Sequence, residues 1–118
     1  MARILVVDDD ASLRMLYERE LSEMGYEVVT VGSGKEAIAQ VEQCPPDLVI
    51  LDIRMDEMDG LTVLDEIMKR DKTIPVILNT AYSTFKSDFA TWNAEAYIVK
   101  SGDPSELKNA IEQVLQAR

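Results

Sequence analysis

The sequence predicts an α/β fold built on a doubly wound parallel sheet, and three observations carry that prediction. Short runs rich in Val, Ile and Leu alternate five times with stretches of helical period. Most of these runs are almost continuously apolar, as expected for parallel strands buried on both faces. No low-complexity segment or linker interrupts the alternation, so the 118 residues are expected to form one domain, 1–118.

The expected strands are Arg3 to Val7, Glu27 to Val31, Leu48 to Leu51, Val76 to Leu78 and Tyr97 to Val99. Glu27 to Val31 is the most polar of the five and suits a sheet edge. In the first helix Leu13, Leu16, Tyr17, Leu21 and Met24 form one apolar stripe, which Gly25 can close in a left-handed turn. Ser33 and Glu36 have the spacing of a capping box for the second helix, whose buried positions would be Ala37, Ile38 and Val41 before Pro45 and Pro46 end it. Asp59 is the expected N-cap of the third, burying Leu61, Leu64 and Ile67. Asp103, followed by Pro104 and Glu106, opens the last helix, which buries Leu107, Ala110, Ile111, Val114 and Leu115. The segment from Tyr82 to Trp92 has the weakest periodicity, yet two parallel strands flank it and require a crossover. Five β/α units with right-handed crossovers predict a flavodoxin-like sheet of order 2-1-3-4-5 with five helices.

Composition narrows the function. With 47% hydrophobic and 29% charged residues the chain has ordinary globular proportions, and no apolar run approaches the ~20 residues of a membrane-spanning helix. The N-terminus also lacks the pattern of a signal peptide, so a cytoplasmic protein with no membrane partner is expected. A formal net charge of −10 opposes direct nucleic-acid binding. Cys44 is the single cysteine and is expected to be incidental. The sequence contains no histidine, so a phosphoryl relay through imidazole must draw on another protein.

In doubly wound sheets ligands bind beyond the carboxyl ends of the strands, where the winding reverses. Polar residues collect there: Asp8, Asp9 and Asp10 after strand one, Asp52 after strand three, Asn79 and Thr80 after strand four, and Lys100 after strand five. Taken singly, Asp10 reads as a helix cap, Lys100 as a surface charge and Thr80 as a turn residue. Their convergence at one edge favours a site. Carboxylates gathered at Asp8, Asp9 and Asp52 repel unless a cation neutralises them. Mg²⁺ fits an oxygen-only set without His or Cys better than zinc or copper does.

The segments Ile4-Leu5-Val6-Val7-Asp8-Asp9-Asp10 and Asp47-Leu48-Val49-Ile50-Leu51-Asp52-Ile53-Arg54-Met55, the pairs Asp59-Gly60 and Thr80-Ala81, and Tyr97-Ile98-Val99-Lys100 together resemble the signature of two-component receiver domains, the phosphoacceptor domains of response regulators. The resemblance covers essentially the whole chain. It implies that Asp52 is the phosphoacceptor, and that Asp8, Asp9, Asp52 and the backbone carbonyl of Arg54 hold Mg²⁺. Thr80 and Lys100 would bind phosphoryl oxygens, with Ala81 leaving room for the group and Tyr97 acting as a rotamer switch. The implied partners are a sensor histidine kinase or histidine phosphotransfer protein, and a downstream protein that reads the surface of the fourth helix, strand five and the last helix. A monomer or a weak phosphorylation-dependent dimer is expected, with catalysis limited to the chain's own phosphorylation and dephosphorylation. Arg54 and Tyr82 border the approach of water and would tune the lifetime of the acyl phosphate.

Departures from the family pattern carry expectations of their own. Asp56 stands where Pro is usual, which makes the loop after strand three more acidic and less stiff. Ser101 replaces the usual Pro after Lys100, and Asn93 a common Gly. Thr80 and Lys100 are two residues closer than is typical, so the fourth helix should be short or irregular. Three other readings compete with a stand-alone receiver. One is a receiver fragment of a longer transcription factor or hybrid histidine kinase. A haloacid-dehalogenase-type phosphatase would want a second carboxylate where Arg54 stands. A flavin protein would want a Ser/Thr/Gly-rich phosphate loop after strand one, which is missing.

Overall fold

In the computed structural model, described for residues 2–53, 59–81, 94–100 and 103–117, five strands form one parallel sheet: β1 Arg3–Val7, β2 Glu27–Val31, β3 Leu48–Leu51, β4 Val76–Thr80 and β5 Ala96–Val99. Their order is β2-β1-β3-β4-β5, as the sequence predicts, and the polar strand β2 lies at an edge. The described helices are α1 Ala11–Glu23, α2 Gly34–Gln43, α3 Gly60–Arg70 and α4 Ser105–Gln116, the last of which is the expected fifth helix. The crossover between β4 and β5, where a short fourth helix is expected, falls on residues 82–93, outside the described residues.

Alternation along the strands sorts the apolar side chains into two cores. Ile4, Val6, Leu48, Ile50, Ile77 and Ile98 face α1 and α4, where Tyr17, Leu21, Leu107 and Ile111 cover them. Leu5, Val7, Val49, Leu51, Val76, Leu78 and Tyr97 face α2 and α3, against Ala37, Val41, Val63, Leu64 and Ile67. Burial of both sheet faces explains why these strands are apolar almost throughout.

Local chemistry sets the helix ends. Asp10 caps α1 by accepting the N–H groups of Ser12 (2.9 Å) and Leu13 (3.3 Å), and Asp59 caps α3 by accepting that of Thr62 (2.9 Å). After α1, Gly25 takes φ +96°, and the N–H groups of Gly25 and Tyr26 donate to the carbonyls of Ser22 and Leu21. These two bonds define a Schellman turn. Ser33 accepts from Glu36 N–H (3.2 Å), but the Glu36 carboxylate reaches Gly32 N–H (3.1 Å), one residue before the partner a capping box expects. In the last helix Pro104 takes the cap position. Asp103 acts one residue earlier, accepting both the N–H (2.9 Å) and the hydroxyl (2.6 Å) of Ser105, which lowers the pKa of its carboxyl.

Two strands differ in length from expectation. β4 continues through Asn79 and Thr80 because these pair with Ile98 and Val99 of β5, and β5 begins at Ala96, opposite Ile77. Ladder hydrogen bonds decide this, and side-chain polarity does not reveal them.

Candidate functional site

The polar residues extend the strand alternation by one step. Val7 pairs with Leu51, and Leu51 with Leu78, so Asp8, Asp52 and Asn79 stand level on adjacent strands, on the face covered by α1 and α4. Lys100 follows Ile98 on that same face, and its N–H donates to the Thr80 carbonyl (2.7 Å). Thr80, fully buried, belongs by the same alternation to the opposite face, with Leu78 and Tyr97.

The ammonium of Lys100 bridges the two buried carboxylates, at 2.7 Å from Asp8 Oδ2 and 3.0 Å from Asp52 Oδ2. Burial works against its charge, but the hydrogen bonds to Asp8 and Asp52 outweigh that and raise its pKa above the ordinary lysine value. Asp8 Oδ1 accepts the Asp10 N–H (2.9 Å), which fixes the other end of that carboxylate. Asp9 is exposed, yet Asp8, Asp9 and Asp52 each bring a carboxylate oxygen within 4.8 Å of the others. Three carboxylates and one ammonium leave two formal negative charges, which one divalent cation would neutralise. The donors are all oxygens, and among the described residues no His or Cys joins the group, so the set fits Mg²⁺.

The backbone around Asp52 is tightly packed. Gly60 N–H donates to the Ile53 carbonyl (2.6 Å), and a Cβ at Gly60 would stand 2.1 Å from the Asp52 carbonyl oxygen. Only glycine permits α3 to start so close to the end of β3.

Several candidates fall elsewhere. Ala81 follows β4 and is exposed. Tyr97 is 4% exposed and belongs to the core with Val76, Leu78 and the α2–α3 side chains. Arg54, with its carbonyl, and Tyr82 lie outside the described residues, as do Asp56, Asn93 and Ser101. Asp10 serves α1 as its cap, and Cys44 is exposed at the end of α2, its carbonyl accepting from the Arg3 guanidinium (3.0 Å).

Two contacts near the site escaped the sequence reading. The Arg14 guanidinium donates to the Asp8 carbonyl (2.6 Å), tying α1 to the end of β1. Asn79 Nδ2 donates to the Tyr17 hydroxyl (3.0 Å) in the buried layer beneath α1. Tyr17 counts as apolar in a helical stripe, which hides its hydroxyl; the available signal was a buried-strand Asn on the face that the stripe covers.

Residues 4–112 match the family model of the response regulator receiver domain, and the chain belongs to that family. It is 41% identical over 116 residues to the "Probable transcriptional regulator ycf27" of Guillardia theta, covering 97% of this chain and 45% of that protein. The chain thus spans about half the length of the curated ycf27 relatives it matches. Among solved structures it superposes on the response regulator TrrA of Thermotoga maritima in complex with Mg²⁺-BeF, with TM-score 0.90, 46% identity, and 96% and 98% of the two chains covered. TrrA in complex with the histidine kinase ThkA gives TM-score 0.89 at 46% identity, with 98% and 99% covered. No helix among the described residues is long and apolar enough to cross a membrane.

Proposed function

We propose that this receiver accepts a phosphoryl group on Asp52 from a phosphohistidine of a partner protein, with Mg²⁺ held by Asp8, Asp9, Asp52 and the Arg54 carbonyl. The observation that carries the reading is the Lys100 ammonium shared between Asp8 and Asp52, with the Asp9 carboxylate beside them. A carboxylate oxygen of Asp52 attacks phosphorus, the bond from phosphorus to imidazole breaks, and the leaving nitrogen keeps the electron pair and takes a proton. Mg²⁺ would supply charge neutralisation at the transferring oxygens. Lys100 and Thr80 donate to phosphoryl oxygens, and Lys100 needs little movement because its ammonium already lies 3.0 Å from Asp52. Once Thr80 is drawn to the phosphoryl group, Tyr97 on the same sheet face shifts between its two positions and alters the surface of the β4–β5 crossover, β5 and α4.

The chain is then a cytoplasmic signalling module whose catalysis is confined to its own acceptor. TrrA, bound to a histidine kinase, supports a kinase as the upstream partner. A second reading, the receiver part of a longer transcriptional regulator, is favoured by the 45% coverage of the ycf27 regulator. The test uses acetyl phosphate with Mg²⁺ and intact-mass analysis. The wild type should gain one phosphoryl group and Asp52→Asn none; equal labelling of that variant would reject the assignment.

A further inference from the structure

The hydrogen bond between Tyr17 and Asn79 lies at the edge of the site and has no part in the chemistry above. We propose that these two are positioning residues for Lys100, holding its ammonium over Asp8 and Asp52 for phosphoryl transfer. The inference rests on the reading of Asp52 as acceptor.

Register makes Asn79 the neighbour of Asp52 on the next strand, on the same face, and Lys100 comes next on that face from β5. Tyr17, Asn79 and Lys100 line one small crevice between the sheet and the α1–α4 layer. Its buried lining is Tyr17, Asn79, Ile98 and Leu107, of which only Tyr17 and Asn79 are polar, whereas its exposed lining includes Asp103 and Glu106. A lysine in this crevice can therefore reach for carboxylates in two directions, the acceptor site or the α4 end. The bonded pair occupies the buried end with a rigid ring and a fixed amide, which leaves the ammonium its place between Asp8 and Asp52. Stability alone gives no reason for the pair: apart from Asp8, Asp52 and Lys100, the buried side chains of this layer are otherwise Ile, Leu and Val, and replacing both partners of a buried hydrogen bond by apolar groups of like shape is close to neutral.

That difference supplies the test. Labelling by acetyl phosphate is followed at saturating Mg²⁺ over a range of donor concentrations, beside urea unfolding, for wild type, Tyr17→Phe, Asn79→Leu and the double variant. Each single variant strands one polar group and should lose stability, and the double variant should recover most of it. The maximal labelling rate should nevertheless fall about tenfold in the double variant, with the half-saturating donor concentration unchanged. In a Lys100→Met background, labelled over longer times, the same double change should leave the rate where it was, since no ammonium remains to be positioned. Tyr17→Phe, which removes one oxygen atom, gives the same reading if the double variant does not fold. A double variant labelled within twofold of wild type or faster, or one that loses as much in the Lys100→Met background, overturns the inference and leaves Asp52 as acceptor. A wild type that takes no phosphoryl group overturns both.

Discussion

Asp9 and Asp10 are adjacent carboxylates in different surroundings, and the difference is measurable. Asp10 accepts two N–H groups of the first turn of α1, so Asp10→Ala should cost about 0.5–2 kcal/mol of stability and leave Mg²⁺ affinity near that of wild type. Asp9 is exposed and belongs to the acidic group, so Asp9→Ala should lower Mg²⁺ affinity strongly and cost little stability. Metal titration beside urea unfolding separates the two, and equal Mg²⁺ losses would reject the division. The sequence already favours a cap for Asp10, because an Asp directly before an apolar helical stripe has a local role that can be read without a fold. The Tyr17–Asn79 contact joins α1 to a strand end 62 residues away, so no local pattern carries it, and Arg14 reaches back six residues to a backbone carbonyl, which side-chain patterning does not reveal.

At the scale of elements, legibility follows how local the causes are. β1, β2 and β3 keep their expected limits because apolar runs bounded by turn residues define them. β4 and β5 grow because their partners across the ladder, and not their own composition, set their ends. In α3 the expected stripe of Leu61, Leu64 and Ile67 becomes Gly60, Val63, Leu64 and Ile67, with Leu61 half-buried. The reason is the start of that helix: Gly60 pressed against the Asp52 backbone rotates the buried stripe toward positions 60, 63, 64 and 67. Gly60→Ala should therefore act on both stability and chemistry. Its Cβ would overlap backbone, at a cost of about 1–3 kcal/mol, and the shift that relieves it moves the acceptor strand, so labelling of Asp52 should slow as well. Gly25→Ala meets open space and a φ of +96°, so it should lose about 1–2 kcal/mol with labelling intact. Thermal unfolding and labelling rates of the two variants distinguish a glycine required by close approach from one required by its dihedral angle. Similar labelling in both would remove Gly60 from the site.

For the whole molecule, charge is the property that bears most directly on its place in a signalling system. The ycf27 relatives, named as probable transcriptional regulators, are about twice as long as this chain, so the regulatory activity in their names need not reside in the part they share with it. Here 22 Asp and Glu stand against 12 Lys and Arg, and the shortest ammonium contact among the described residues, that of Lys100, is turned inward onto Asp8 and Asp52. Duplex binding draws its non-specific affinity from cations that displace counterions, and a net charge of −10 works against it at every distance where screening is incomplete. Phosphorylation adds further negative charge and strengthens the repulsion. The isolated chain should therefore leave the anisotropy of a labelled duplex unchanged at physiological salt, both before and after treatment with acetyl phosphate and Mg²⁺. Binding that weakens as salt rises, in either form, would show a basic surface that the composition gives no reason to expect, and would place DNA contact within the receiver itself.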